Sequence, residues 1–357
     1  MLSRLQKFVP ALTFALALAL AFAISARAED LYIVSGVHVD ASGASSAEAL
    51  NVAIAQGRPK AWTILYHRLT RQQDWTRQPA LDAPGLVRLS RGYTPTNERR
   101  STTRYVADVT YIFNPEAVAR TLRDANIAFT QAVARRILLV PMSPGYNTGP
   151  WTQAFSAPTS HDPIVPFSLP TAADASDLGQ LNFDTAGWND VAAAAGRIKA
   201  SEAALVQAVY ANGKVTVNIR RLGSGAPPAK TSVDVPLLQT VSTTYPAAAQ
   251  AAVAAIEDMW KSRSAVNFNA RATLTADVKV SSLNQWGAIQ TALSGMDNIT
   301  NVQVVAMNLG YARLSIAYQG STEQLRDAMN EQGLVLSGRG GQWTITPGAR
   351  LNSSGGQ

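Results

Sequence analysis

The strongest constraint on the fold is a pair of matching helix-start signals near the C-terminus. Ser282-Leu-Asn-Gln285 and Ser321-Thr-Glu-Gln324 both fit the Ser-x-x-Gln capping box, in which two side chains satisfy free backbone N–H groups at a helix start. Gly295 and Gly333 stand where those helices would end. The predicted elements are strand 271–280, helix 283–294, strands 301–309 and 311–319, helix 322–332 and strand 334–346. This βαββαβ order predicts a split-βαβ, or ferredoxin-like, module over 265–347.

A second constraint is an apolar stripe that crosses the sequence Gly57-Arg58-Pro59. On a helical wheel the stripe contains Ala47, Leu50, Ile54, Ala61, Leu65 and Leu69. Because the stripe does not reset at the proline, we predict one kinked helix over about 45–70. His67 lies opposite the stripe and is expected in solvent, whereas Arg68 is expected to pack its stem at the edge of the core.

The N-terminal module, predicted over 29–128, has the pattern β-α-loop-β-α. Strand patterns at 31–39 and 103–113 flank the long helix and a polar segment, 71–103, that reads as a surface loop. Asn114-Pro115-Glu116 then supplies an N-cap, a proline at the first helical position and an acid in the first turn. We therefore expect a helix to about Asn126.

The central module, predicted over 129–264, combines a buried strand with a hairpin. The apolar run 135–142 predicts the buried strand, and the Pro-rich loop 141–170 follows it with a short edge strand at 164–169. Asn212-Gly213 joins two alternating runs into the hairpin, a third strand follows at 231–238, and Pro246 begins a helix to about Lys261. The chain is thus expected to be α+β or mixed α/β, with three small modules.

The N-terminal residues of the sequence indicate export. Residues 1–28 have a basic start, an apolar run and the Ala26-Arg27-Ala28 cleavage pattern of a secretory signal peptide, which predicts a periplasmic location. If the signal is retained, residues 8–24 would instead anchor the protein in the inner membrane. The chain has no Cys, so its stability must come from buried cores rather than disulfides. The tail 348–357 is expected to be disordered.

No catalytic constellation is recognisable in the sequence. The chain has three His (His38, His67 and His161), and none lies in a known catalytic or metal-binding motif. The acid pairs Asp174/Asp177, Asp184/Asp190 and Glu257/Asp258 could serve a glycan hydrolase, but each is more simply a cap or a solvated helix face. We predict no catalytic residues, no cofactor and no metal.

The segment 58–104 is strongly basic. It holds ten Lys or Arg and three acids, which gives a net charge of +7. This equals the net charge of the whole chain, so the rest of the chain is neutral on balance. The simpler interpretation is solvated charge with some Arg packing, and the alternative is a surface for an anionic lipid, an acidic glycan or an acidic protein. The candidate binding residues are Arg91, Arg99, Arg100 and Arg104, with Tyr93 and Tyr105 beside them. Because the chain is expected to be exported, we predict no nucleic-acid partner, and the oligomeric state is open.

Three stretches resemble a family of exported bacterial proteins catalogued as domain of unknown function 2066. They are "LYIVSGVHVDASGASSAEALNVAIAQGRPKAWTILYHRLT", "RYVADVTYIFNPEAVARTL" and "RILLVPM". The resemblance covers about residues 30–260, and the C-terminal module resembles a domain appended in some members. It implies a Gram-negative envelope setting and a multi-domain α/β build, with no activity to carry over. Pro59 departs from the uninterrupted helix expected in that family.

These observations favour a non-enzymatic binding or scaffold protein of the cell envelope. It would engage an anionic or protein partner through the basic N-terminal half or the C-terminal module. An envelope glycan hydrolase with an unrecognised carboxylate pair is the first alternative. A membrane-anchored assembly factor is the second, and it applies if the signal is retained.

Overall fold

The chain is a mixed α and β protein with three sheets, which confirms the coarse fold class. The computed structural model describes residues 31–348 apart from 133, 144–148, 157–162, 225, 297, 309 and 340. The predicted signal sequence, 1–28 with its alternative anchor 8–24, lies outside the described residues, as do His161 and all but the first residue of the tail 348–357.

Two compact units divide the chain, and each is assembled from stretches that are not consecutive. The first consists of the described parts of Met1–Arg68, Asp82–Asn114 and Gln131–Ser262. The second consists of the described parts of Leu69–Leu81, Pro115–Thr130 and Arg263–Gln357. The three-module division at 128 and 264 stays a prediction.

The first sheet, in the first unit, has three antiparallel strands. In chain order, the strands of this sheet and the helices between them are β1 (Ile33–Ser42), α1 (Ser46–Leu69), α2 (Ala83–Leu89), β2 (Ser90–Arg100) and β3 (Arg104–Phe113). The sheet order is β1-β3-β2, so β3 lies in the centre. Alternate residues of β3 are buried, among them Tyr105 and Tyr111, and they face α1 because Tyr111 Oη donates to Ile54 O at 2.9 Å. The other residues of β3 face solvent and form what we call the open face.

Helix α1 continues through Pro59 as a single helix, as predicted. Its start is capped by Ser45, whose hydroxyl accepts from Glu48 N at 3.2 Å, while Glu48 accepts from Ala44 N at 2.8 Å. At its other end Arg68 donates to the carbonyls of Leu31 and Ile33. The expected packing of Arg68 at the edge of the core is therefore confirmed.

The surface loop predicted over 71–103 is wrong. Residues Gln72–Arg77 form a 3-10 helix, α2 follows, and β2 pairs with β3. Asp82 caps α2 by accepting from Gly85 N at 2.7 Å. Strand β2 was missed because it is an edge strand exposed on most of both faces, so its sequence lacks apolar alternation, and Pro95 is tolerated at such an edge.

The second sheet, also in the first unit, has the order β5-β4-β6-β7-β8. The strands are β4 (Ile137–Met142), β5 (Phe167–Ser168), β6 (Glu202–Ala211), β7 (Lys214–Gly223) and β8 (Ala226–Pro236). Strand β4 is buried throughout and runs parallel to β5 and β6, as expected of the apolar run. The β6–β7 hairpin turns at Asn212-Gly213, and both residues have positive φ, as a type I′ turn requires.

The helices after β3 differ in part from prediction. They are α3 (Pro115–Asp124), α4 (Pro150–Ala154), α5 (Ala175–Leu178), α6 (Trp188–Arg197) and α7 (Val241–Ser264). Pro246 does not begin α7, because Thr240 and Thr243 already cap the helix start through their hydroxyls. The Pro-rich loop 141–170 contains α4 and β5 within its described part, and β5 is shorter than the strand predicted at 164–169.

The third sheet, in the second unit, has the order β10-β11-β9-β13-β12. Its elements are β9 (Arg271–Lys279), α8 (Leu283–Ser294), β10 (Ile299–Met307), β11 (Tyr311–Gln319), α9 (Thr322–Glu331), β12 (Leu334–Arg339) and β13 (Gln342–Pro347). Both capping serines act as predicted, since Ser282 and Ser321 accept from the backbone N–H three residues on. The single strand predicted over 334–346 is wrong: it is the β12–β13 hairpin, in which β13 lies parallel to β9.

Candidate functional site

The six predicted binding residues lie on β2 and β3, but they do not converge on one site. Tyr105 is fully buried beneath the sheet, whereas Tyr93 opposite Tyr111 is exposed. Arg99, Arg100 and Arg104 lie where β2 and β3 join, and Arg91 lies eight residues back along β2. At about 3.3 Å per residue, this separates Arg91 from Arg99 by roughly 26 Å.

Arg104 is already paired within the sheet. Its Nε donates to Asp40 Oδ1 at 2.8 Å and its Nη2 donates to Asp40 Oδ2 at 2.6 Å, a two-point contact between β3 and β1. This contact lowers the pKa of Asp40 and raises the pKa of Arg104, with the hydrogen bond as the largest cause. Both groups are exposed, so the pair orients Arg104 more than it stabilises the fold.

Arg100 is also paired, on the opposite side of the sheet from Arg104. Its Nε donates to Glu98 Oε2 at 2.7 Å, and its guanidinium carbon lies 5.3 Å from the centre of the Tyr105 ring. The hydrogen bond to Glu98 raises the pKa of Arg100, and burial raises the pKa of Tyr105. Tyr105 therefore supports an arginine from below and does not offer its own surface to a ligand.

Much of the remaining positive charge of 58–104 is committed inside the fold. In the first unit, Arg68 donates to two backbone carbonyls of the β1 region. In the second unit, Arg71 and Arg77 both bind the buried carboxylate of Asp74, at 3.3 Å and 3.1 Å. The segment is thus not a continuous basic surface, and the simpler interpretation of its charge accounts for these three arginines.

The open face holds a polar cluster that the sequence did not indicate. Asp108 in the centre of β3 accepts from Asn97 Nδ2 at 2.9 Å, and its other oxygen lies 3.0 Å from His38 Nδ1. These two contacts, with Asn97 the larger, lower the pKa of Asp108, and the charge of nearby Arg99 adds to the effect. The signal was weak because His38 and Asp108 are 70 residues apart and only the β1–β3 register places them opposite each other.

A buried polar contact joins α1 to α7 within the first unit. Lys261, only 3% exposed, donates to His67 O at 2.8 Å. Glu257, one turn earlier on α7, accepts from Ile164 N at 2.9 Å. The expectation that His67 is a solvated side chain is wrong: it is half-buried, and burial, followed by the charge of Lys261, lowers its pKa.

The acids nominated for glycan hydrolysis serve structural contacts. Each nominated pair has at least one member in such a contact: Asp174 binds Arg197 and Thr171, Asp190 accepts from Gly187 N, Asp184 accepts from Lys230 Nζ, and Glu257 accepts from Ile164 N. Within the described ranges, no three His, Asp or Glu side chains come together as a metal ion would require. The geometry therefore offers no positive support for a hydrolytic or metal centre.

The fold and the open face define a mixed α and β protein with three sheets and a solvent-facing layer of paired charges. No protein-family model, curated protein or solved structure matches the chain. Among the described residues, no helix has both the length and the apolar character needed to cross a bilayer.

Proposed function

We propose that this chain is a non-enzymatic binding or scaffold protein of the bacterial envelope, and that it engages a protein partner through the open face of the first sheet. The observation that carries the proposal is the two-point pair between Arg104 and Asp40 beside the His38–Asp108–Asn97 cluster. Together they place paired charges of both signs on the central strand and its neighbours.

The choice between a protein and a polyanion follows from how these charges are paired. A lipid headgroup or acidic glycan would have to compete with Asp40 and Glu98 for Arg104 and Arg100. A protein surface can instead meet Arg and Asp side chains with its own opposite charges, which gives specificity through complementarity. Arg99, beside Asp108, is then the first residue we expect to form a new ion pair.

The finer architecture belongs to the same proposal. We propose that the third sheet is a variant of the ferredoxin-like split βαβ, in which a hairpin replaces the last strand and places β13 parallel to β9. Export, membership of the family of domain of unknown function 2066 and the three-module division are proposed on the sequence patterns alone. Mass spectrometry of the mature N-terminus tests cleavage: a start at Glu29 supports a periplasmic protein, and an intact residue 1 supports the anchored assembly factor.

The binding face can be tested by site-specific photo-crosslinking in the native host. A photoreactive residue at Thr94, which is exposed and pairs with Thr110 on the open face, should give one discrete protein adduct. The same residue at Gln180, an exposed position outside the first sheet, should not give that adduct. Arg104→Glu should abolish the Thr94 adduct, since it places two carboxylates together on the face.

Two further results separate the possible partners. The double variant Asp40→Arg/Arg104→Asp keeps the ion pair but reverses its direction, so loss of the adduct in this variant shows that polarity, rather than fold, is recognised. Sedimentation of the mature protein with phosphatidylglycerol vesicles tests the anionic alternative. Salt-sensitive sedimentation that Arg99→Glu removes, without any Thr94 adduct, would replace the protein partner with an anionic one.

A further inference from the structure

Strand β10 is an unusually unprotected edge of the third sheet. Its nine residues, Ile299–Met307, contain no charged residue and no proline. Three of its apolar side chains are exposed: Val304 at 46%, Val305 at 60% and Met307 at 48%. Edge strands are normally protected by charges, prolines or short length, because their free backbone groups bind other strands.

The other sheet edges in the described part of the chain carry such protection. Strand β2 has Pro95 and nearby charges, and β8 has prolines and charges, among them Pro228, Lys230, Asp234 and Pro236. Strand β1 carries the charge of Asp40, and β5 has only two residues. Strand β12 is short and has Gly338 at positive φ. Protection is therefore the rule in this molecule, and β10 departs from it.

The apolar side of β10 continues the core of the second unit to the sheet edge. Val304 lies opposite Leu314 and Met307 lies opposite Ala312, and both of these β11 residues are fully buried. Tyr311, which begins β11, is exposed at the same end of the sheet. The regularly paired stretch Asn301–Val304 lies between two register shifts. The second shift leaves Val305 out of the pairing with β11.

We propose that β10 pairs antiparallel with β10 of a second copy of this chain, across a twofold axis near Gln303. The charge pattern favours this occupant. A like-charge clash cannot arise in any register, because the strand is uncharged throughout, and one isologous contact covers both unprotected edges at once. The third sheets of the two copies, with five strands each, would then form one continuous sheet. This inference does not depend on the open-face proposal, since it concerns a different sheet.

Sedimentation equilibrium of the mature protein tests the pairing. We expect twice the mass of one chain at micromolar concentration, and the mass of one chain for Val305→Lys, because a charge at the edge opposes pairing with its own copy. Val335→Lys is the matched control: Val335 is 43% exposed on β12, at the opposite edge of the same sheet, so this variant should stay dimeric.

A cysteine scan keeps the test decisive if Val305→Lys fails to fold. The chain has no Cys, so a single Cys at Asn301, Gln303 or Val305 can form a disulfide only with a second copy. We expect oxidation to give a covalent dimer at one of these positions, and none for Ser337→Cys on β12. A monomeric native protein, a dimer that Val305→Lys leaves intact, or equal crosslinking at Ser337 would each overturn the proposal.

Discussion

At the residue scale, His67 and Lys261 show how burial changes the chemistry of ordinary side chains. Lys261 donates its ammonium to a carbonyl in the last turn of α1, where orphan carbonyls need donors. Burial lowers the pKa of Lys261, and the negative charges of Glu257 and Asp258 partly oppose this effect. The wheel that placed His67 in solvent was correct for an isolated helix, but it could not include α7, which comes from residues far along the chain.

The lowered pKa of His67 predicts a loss of stability in mild acid. Its usual value is 6.5, so below that pH the unfolded chain takes up a proton that the folded chain resists, and the free energy of unfolding falls. We expect the fall between about pH 7.5 and about pH 5.5 to be smaller in His67→Gln than in the native protein. Urea unfolding at the two pH values measures this difference. An equal fall in both proteins would show that His67 does not contribute.

At the element scale, α1 and β3 fit together through a glycine that the sequence marked only as an interruption. Gly57 is buried against the sheet, and a Cβ at this position would overlap the Tyr111 hydroxyl and come within 2.7 Å of Val39 Cγ1. The hydroxyl needs that space because it donates to Ile54 O, and burial raises the pKa of Tyr111 to about 12. Gly57 therefore allows close approach of the helix to the sheet, next to Pro59.

Gly57→Ala should destabilise the protein, although the same change in an open helix is favourable. Overpacking should cost about 1–3 kcal/mol. The helix preference of alanine should offset up to about 1 kcal/mol of this cost, so we expect a smaller net loss. Gly196→Ala in α6 is the matched control, since nothing lies within 4 Å of its added Cβ. It should be neutral or stabilising in urea unfolding.

A double-mutant cycle tests whether contact with Tyr111 causes the loss of stability in Gly57→Ala. Tyr111→Phe alone should cost about 1 kcal/mol through the lost hydrogen bond to Ile54 O. The double variant Gly57→Ala/Tyr111→Phe should lose less than the sum of the two single variants, because the hydroxyl that the added methyl group would strike is gone. Strict additivity would mean that the strain lies elsewhere, for example at Val39.

The elements that the sequence predicted well carry their signals locally. Ser282 and Ser321 cap their helices through residues three positions away, and Asn212-Gly213 makes a turn by its own backbone preference. Strand β2 and the β12–β13 hairpin were not predicted, because an exposed edge strand needs little apolar alternation and its pairing partner defines it.

At the scale of the whole molecule, the second unit depends on a short segment from the middle of the chain. Phe129 and Val266 exchange backbone hydrogen bonds at 3.0 Å and 3.3 Å, and the Phe129 ring lies 5.0 Å from that of Phe268. Asn269 Nδ2 donates to Arg123 O at 2.7 Å. Residues 115–130 thus pack with the C-terminal segment rather than standing apart from it.

This arrangement predicts that a fragment ending at the module boundary predicted at 264 will be less stable than the full mature chain. The fragment 29–264 keeps Phe129 but lacks Val266 and Phe268, so buried apolar surface around residues 115–130 becomes exposed. We expect it to bind a hydrophobic dye and to unfold at a lower temperature than the full mature chain. A fragment that binds no dye and keeps the native unfolding temperature would instead support the module boundary predicted at 264.

Caps, turns and apolar periodicity act over a few residues, so the amino-acid sequence was enough to predict the coarse fold class, the single helix through Pro59 and most helices and strands. It also singled out four arginines and two tyrosines in or beside the basic segment 58–104, but it could not show that Asp40, 64 positions earlier in the chain, holds Arg104. The folded chain was needed to show which charges are paired, which strand edge is unprotected and which distant segments pack together. The physical reason is that strand register and long-range packing, rather than local preference, set these contacts.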